Sequence, residues 1–432
     1  MIRFLRFSDT DFATRFAEIT NRAEAVPAEV EETVRRILDD VRERGDAALC
    51  AYTEQYDRLK ITPATMEVTQ AEVDRAMAQV TPKVLDALHL AAERITGFHR
   101  KQKETTWLSN DEPDVQLGQM VRPLDRVGIY VPGGKASYPS SVLMNAVPAK
   151  VAGVEELIMV VPMPAGEVNI HVLAAAKIAG VDRIFKVGGA QAVAALAYGT
   201  ESVPKVDKIT GPGNIYVATA KRLVFGLVDI DMIAGPSEIL IINDGTGDPD
   251  HIAADLLSQA EHDELASSVL ITTDESFGRQ VQQAVEKQLS NLSRASIARA
   301  SIDRFGAIVL APSLRDAAEF SNRIAPEHLE LAVDRPLELL PKIRHAGAVF
   351  LGHHTPEAAG DYLAGPNHTL PTGGTARFFS PLGTHDFVKK SSLVSFTADG
   401  LKRLGDAIIC IAELEGLEAH AQSVKLRLDR SS

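Results

Sequence analysis

Two textures alternate along the chain. From Val127 onward the short β-branched runs VGIYV, LIMVV, RIFKV, VDKIT and VDIDM are separated by helical stretches such as NIHVLAAAKIAG and AQAVAALAYG. That alternation is the signature of βαβ units and a parallel sheet. A second series opens near Glu238 with EILII, SSVLITT, AIVLAP, LELAV and AVFLG, again with helical stretches between. The pattern therefore predicts an α/β fold with two doubly wound domains, residues 127–236 and 237–380.

Helical periodicity dominates both flanks. Over 27–58, Pro27 suits a first helical turn, Val30, Val34, Ile37, Leu38 and Val41 recur at helical spacing, and Gly45 interrupts. Thr69 and Glu72 form a capping-box pattern ahead of apolar positions that recur to about Phe98. Residues 1–126 thus read as a helical N-terminal region, part of it packing with the second α/β domain; His89 and His99 read as solvated or packed helix positions. After Pro381 the period is helical again, giving a small helical tail domain over 381–432.

Composition narrows the function classes. The 432 residues sum to a net charge of −13, which does not recommend a polyanion such as nucleic acid as the partner. No apolar run approaches the ~18 residues that span a bilayer, so no membrane partner is expected. The start MIRFLRFSDTDFATRF meets Asp9 and Asp11 before an apolar core develops, which argues against a secretory signal and for a cytoplasmic address. Two cysteines, Cys50 and Cys410, supply neither a disulfide framework nor a cysteine-rich zinc site, and both read as core packing. Any metal must then be held by His, Asp, Glu or Gln.

Candidate chemistry gathers where strands end. Tyr130-Val131-Pro132-Gly133-Gly134, Val187-Gly188-Gly189-Ala190-Gln191 and Gly211-Pro212-Gly213-Asn214 follow strands of the first domain, where ligands of open α/β sheets collect. Glycines there let backbone amides approach a phosphate; each turn alone reads equally as turn geometry. In LLSQAEHDE, Gln259 and His262 stand at i and i+3, a spacing two metal ligands can share. In RIAPEHLEL, Glu327 and His328 place a carboxylate beside an imidazole at a loop–strand junction, as a general acid/base near neutral pH requires, or as a polar loop provides. Residues 352–386 form a long irregular stretch with His353, His354, Asp361, His368 and His385 as possible ligands, among which composition does not choose.

Taken together, GPGN, AGPSEI, LLSQAEHD, APEHLEL, GDYLAGPNHTLPTGGTARF and EGLEAHAQSV occur in order over most of the chain, and this set closely resembles the histidinol dehydrogenase family. The resemblance implies two Rossmann-like domains of the aldehyde-dehydrogenase-like kind and a homodimer with exchanged tails and shared active sites. It also implies oxidation of L-histidinol to L-histidine with NAD and one Zn2+ per subunit, at the last step of histidine biosynthesis. Carried over by position, it assigns Gln259, His262, Asp361 and His420 as zinc ligands, the last from the partner's tail. Glu327 and His328 become the acid/base pair. Ser237, Gln259, His262, His328, Asp361, Glu415 and His420 become substrate contacts, joined less firmly by His368. Tyr130, Gln191 and Asn214 become NAD contacts. Thr375 stands where family members often carry cysteine, which argues against a thiol mechanism. Two other readings remain at this stage: a related dehydrogenase for a different small alcohol, and a zinc hydrolase, which would act without NAD.

Overall fold

Each β-branched run becomes a strand. The structure, a computed structural model, describes residues 1–20, 27–133, 138–233 and 235–429, so Gly134 and Ala234 of the motifs above lie outside the described residues. The chain divides into two compact units: 1–102 with 125–387, and 103–124 with 388–432.

The first unit holds two parallel sheets. One has five strands in the spatial order Arg183–Phe185, Glu156–Val160, Arg126–Tyr130, Lys208–Thr210 and Asp229–Ile230. Helices Ala28–Arg44 and Asp46–Asp57 pack on it through Val34, Ile37, Leu38, Val41 and Leu49, which share a core with Ile158, Val160, Phe185 and the alanine-rich helix Gly189–Tyr198. The predicted capping box is present: Thr69 Oγ1 accepts from Glu72 N–H, and Glu72 accepts from Thr69 N–H, at the start of helix Gln70–Gln79.

The other sheet has six strands in the order Arg3–Arg6, Gly306–Leu310, Ser267–Thr272, Glu238–Asn243, His328–Ala332 and Ala348–Leu351. Its middle strands are buried along their whole length and mostly apolar because both faces are covered. Ile239, Ile241, Leu270 and Ile308 meet helices Pro249–Ala260, Glu275–Leu289 and Ala295–Phe305. Leu240, Ile242, Val269, Ile271 and Leu329 face helices Phe12–Thr20 and Leu314–Ile324 on the opposite side. At roughly 1.5–3 kcal/mol per buried aliphatic side chain, these faces hold the central strands in register. Arg3–Arg6 is a strand inside the region read as helical; four residues bracketed by arginines carry no legible period.

The second unit is an antiparallel sheet, Val388–Phe396, Val115–Pro123 and Trp107–Glu112, with helices Ala398–Leu414 and Glu418–Asp429 packed on each other. The strand Val388–Phe396 precedes the tail helices where helix alone was expected. Its sequence VKKSSLVSF alternates too weakly to show as a buried strand, and most of its side chains are exposed. Cys50 is half-buried and packs against the core beside the five-stranded sheet, whereas Cys410 is exposed and is not a core residue. Among the described residues no helix is long and apolar enough to cross a membrane.

Candidate active site

The densest chemistry lies at the amino ends of the six-stranded sheet, opposite to the edge at which open α/β sheets usually bind ligands. Strand His328–Ala332 pairs with Glu238–Asn243, and their first residues are locked reciprocally. Glu238 N–H donates to Glu327 Oε2 at 2.9 Å, and Glu327 N–H donates to Glu238 Oε2 at 3.3 Å. His328 Nδ1 lies 3.0 Å from the Glu238 carbonyl oxygen. A carbonyl only accepts, so Nδ1 carries the proton, and in the neutral ring Nε2 holds the lone pair. That Nε2 is buried and makes no hydrogen bond.

Two carboxylates face it. Glu357 Oε1 stands 3.7 Å and Asp361 Oδ1 3.6 Å from Nε2. They are four residues apart on helix Glu357–Tyr362 and therefore share a face. That helix is anchored at its start, where Glu357 N–H donates to Glu330 Oε1 at 2.9 Å. With its amide set to satisfy its surroundings, Gln259 donates to Glu357 Oε2 at 3.0 Å and accepts from Glu238 N–H at 3.0 Å. His368 Nδ1 donates to the Asp361 carbonyl at 3.0 Å, and burial holds its ring below the usual histidine range.

The titration behaviour follows from crowding. Burial pushes Glu327 up to about 7, opposed by the adjacent His328. Burial alone would lower His328, but Glu357, Glu327 and Asp361 outweigh it and raise the ring to about 10. Burial raises Glu357 as well, whereas for Asp361 burial is outweighed by His328 and the carboxyl is held low.

Glu327, Glu357 and Asp361 thus surround one imidazole, with the buried Glu238 and Glu330 holding Glu327 and Glu357 from behind. So many carboxylates without water call for bound protons or a cation. The atoms of His328, Glu357 and Asp361 lie within 4.8 Å of one another, and the donor set is oxygen and nitrogen, which suits a divalent metal. This cluster shares only Asp361 with the four ligands implied by the resemblance. Of the others, Gln259 is buried against Glu357; His262 is exposed, with Nδ1 donating to Ser258 O at 2.9 Å, and its charge is felt by Asp361. The helix expected to carry both Gln259 and His262 ends at Ala260, so His262 stands in the following turn. Ser237 directly precedes Glu238, and its carbonyl accepts from Ser267 N–H. Glu415 and His420 are exposed residues of the second unit.

The sequence reading missed Glu238, Glu330 and Glu357. A signal existed for two of them: Glu357 and Asp361 have same-face helical spacing, and His328 and Glu330 alternate with leucine in a strand buried on both faces.

At the carboxyl ends of the five-stranded sheet the three turns do gather. Tyr130 ends the central strand, and its hydroxyl accepts from Gly189 N–H at 3.0 Å at the start of helix Gly189–Tyr198. Tyr130 is 4% exposed, and burial pushes its phenol up to about 12. Gln191 is buried in that helix's first turn, and Asn214 caps the next helix by accepting from Tyr216 and Val217 N–H. Gly211 has φ +109°, and a Cβ there would sit 2.1 Å from the Tyr130 carbonyl oxygen, so only glycine lets these strands' ends approach.

Fold and site together define a doubly wound α/β protein with a buried cluster of carboxylates around one imidazole. A family model described as histidinol dehydrogenase matches residues 20–428. Histidinol dehydrogenase of Syntrophotalea carbinolica is 70% identical over 431 residues, covering 100% of both chains. That of Geobacter sulfurreducens is 67% identical, covering 99% of this chain and 100% of its own. The crystal structure of histidinol dehydrogenase from Elizabethkingia anophelis superposes with a TM-score of 0.94 at 37% identity, covering 99% of this chain and 98% of the other. The chain belongs to the histidinol dehydrogenase family and is an oxidoreductase.

Proposed function

We propose that this protein oxidises L-histidinol to L-histidine through the aldehyde, using two NAD and one water, as the last step of histidine biosynthesis in the cytoplasm. The observation that carries the chemistry is the free Nε2 of His328. Its tautomer is fixed by the Glu238 carbonyl, and it faces carboxylates that stabilise the imidazolium once a proton arrives.

In this reading a bound cation would offset the carboxylates that otherwise keep the ring protonated, and His328 Nε2 then takes the hydroxyl proton as the carbinol carbon gives up hydride. Glu327, held up to about 7 by burial, then serves as the base that takes a proton from the water adding to the aldehyde. His328 releases its first proton to solvent; the gem-diol so formed then gives up the second hydride, and its hydroxyl proton passes to the freed Nε2. Tyr130, Gln191 and Asn214 would bind NAD, which would supply the hydride acceptor, one molecule for each oxidation. Gln259, His262 and Asp361, with His420 of a second copy of the chain, hold Zn2+. The metal supplies a Lewis-acid anchor that orients the substrate's nitrogen atoms. Ser237 and Glu415 complete the substrate contacts. Support for a second copy comes from the tail helices, where Ile411 and Leu414 are exposed.

The test is stoichiometric. L-histidinol consumed to completion with excess NAD yields two NADH per molecule; a yield of one removes the second oxidation, and a yield of none removes the function.

A further inference from the structure

The scheme above leaves one shielded carboxylate oxygen without a task. Helix Asp46–Asp57 packs against helix Gly189–Tyr198. At its start Asp46 accepts from Ser202 Oγ at 2.5 Å, and Asp46 N–H donates to Glu201 Oε2 at 2.9 Å, just past the end of Gly189–Tyr198. Twelve residues at about 1.5 Å each bring the chain back to the other end. That is where Gly189 N–H meets the Tyr130 hydroxyl. Leu59 lies 3.5 Å from where a Cβ on Gly166 would stand, so the segment after Asp57 faces the turn following strand Glu156–Val160.

Asp57 ends that helix. Its Oδ2 is shut off from solvent and finds no hydrogen-bond partner among the described residues. The carboxyl is close enough to Tyr130 that its charge is felt by the phenol. An acceptor oxygen held dry and unpaired is costly unless a ligand supplies a donor.

The topology says which donor. The five strands run 3-2-1-4-5 across the sheet, matching the doubly wound dinucleotide-binding order 3-2-1-4-5-6, in which an acid near the end of the second strand accepts from a ribose hydroxyl. Here that strand is followed by Val161-Pro162-Met163-Pro164-Ala165-Gly166, with no acid before the exposed Glu167. We propose that Asp57, delivered to this edge by the preceding helix, accepts a hydrogen bond from a ribose hydroxyl of the dinucleotide and repels a 2′-phosphorylated one. Asp57 is thereby the residue that makes the site select NAD over NADP. The proposal rests on the NAD-dependent reading above.

The experiment measures the full-length enzyme with NAD and with NADP at saturating L-histidinol, for wild type, Asp57→Ala and Asp57→Asn, together with thermal melting. Loss of one hydroxyl contact corresponds to about a tenfold rise in KM for NAD in Asp57→Ala, with kcat and the KM for histidinol within about twofold of wild type. Asp57→Asn keeps an acceptor but not the charge. It leaves KM for NAD within about threefold while the NAD/NADP ratio of kcat/KM falls about tenfold. Unchanged NAD constants and an unchanged ratio in both variants overturn the proposal, as does a fall in melting temperature unaccompanied by any change in cofactor constants. A wild-type enzyme that reduces no NAD overturns the function itself, a different outcome from either.

Discussion

The two parallel sheets of the first unit use opposite ends and opposite materials. At the amino ends of the six-stranded sheet the working atoms are side chains: an imidazole and several carboxylates, buried and crowded until their proton affinities move. At the carboxyl ends of the five-stranded sheet they are largely main chain, presented by glycine turns and helix starts, with a neutral phenol and two amides beside them. The first arrangement suits proton transfer, which needs groups whose charge changes. The second suits a ligand that brings its own charge and must be met at close range.

The sharpest way to break the comparison is to remove the chemistry at one end. His328→Ala is expected to lower kcat by about 10³-fold while leaving bound zinc in place, read by NADH formation and metal analysis. A loss below tenfold would move the base elsewhere. At the other end the sensitive quantity is space. Gly211→Ala forces a Cβ onto the Tyr130 carbonyl and is expected to destabilise the protein by about 2–4 kcal/mol in denaturant titration. A melt like that of wild type would show that the close approach is not required.

A smaller effect separates burial from contact. Glu327 has a folded value of about 7, above its ordinary 4.5, so the folded state holds its proton more tightly than the unfolded state does. Its contribution to stability is then greatest below pH 4.5 and is lost as pH rises toward 7. Glu327→Gln, which keeps an acceptor for Glu238 N–H but does not ionise, is expected to be about 1–3 kcal/mol more stable than wild type at pH 8, and equal to it near pH 4.5. A difference independent of pH would assign the effect to packing instead. Least of all should change with Thr375→Cys. Thr375 Oγ1 donates to the Thr372 carbonyl at 2.7 Å and carries no proton in the scheme, so kcat is expected to stay within about twofold. A large gain in rate would reopen a thiol route.

Much of this contrast was legible beforehand. The ten strands of the two parallel series were visible because strands covered on both faces are predominantly apolar, as ILII and LIMVV are. Glu327 and His328 stood out as adjacent titratable groups at a strand start. Strands exposed on one side, such as Val388–Phe396, left too faint an alternation. The glutamates around His328 were missed for another reason. Glu238 looks like a strand residue of no distinction until the register places it beside the imidazole, and Glu330 shows only as a polar position alternating with leucine. The NAD residues rested on motif resemblance, since a glycine turn does not announce its ligand.

The bond from His328 Nδ1 to the carbonyl of Glu238 has a further consequence. The group that fixes which nitrogen is basic belongs to the main chain, and every amino acid at position 238 would provide it. The active tautomer is therefore robust to substitution at its own partner. It is vulnerable only to a shift in how two neighbouring strands are aligned, so the inheritance of the base is a matter of sheet register more than of any one codon.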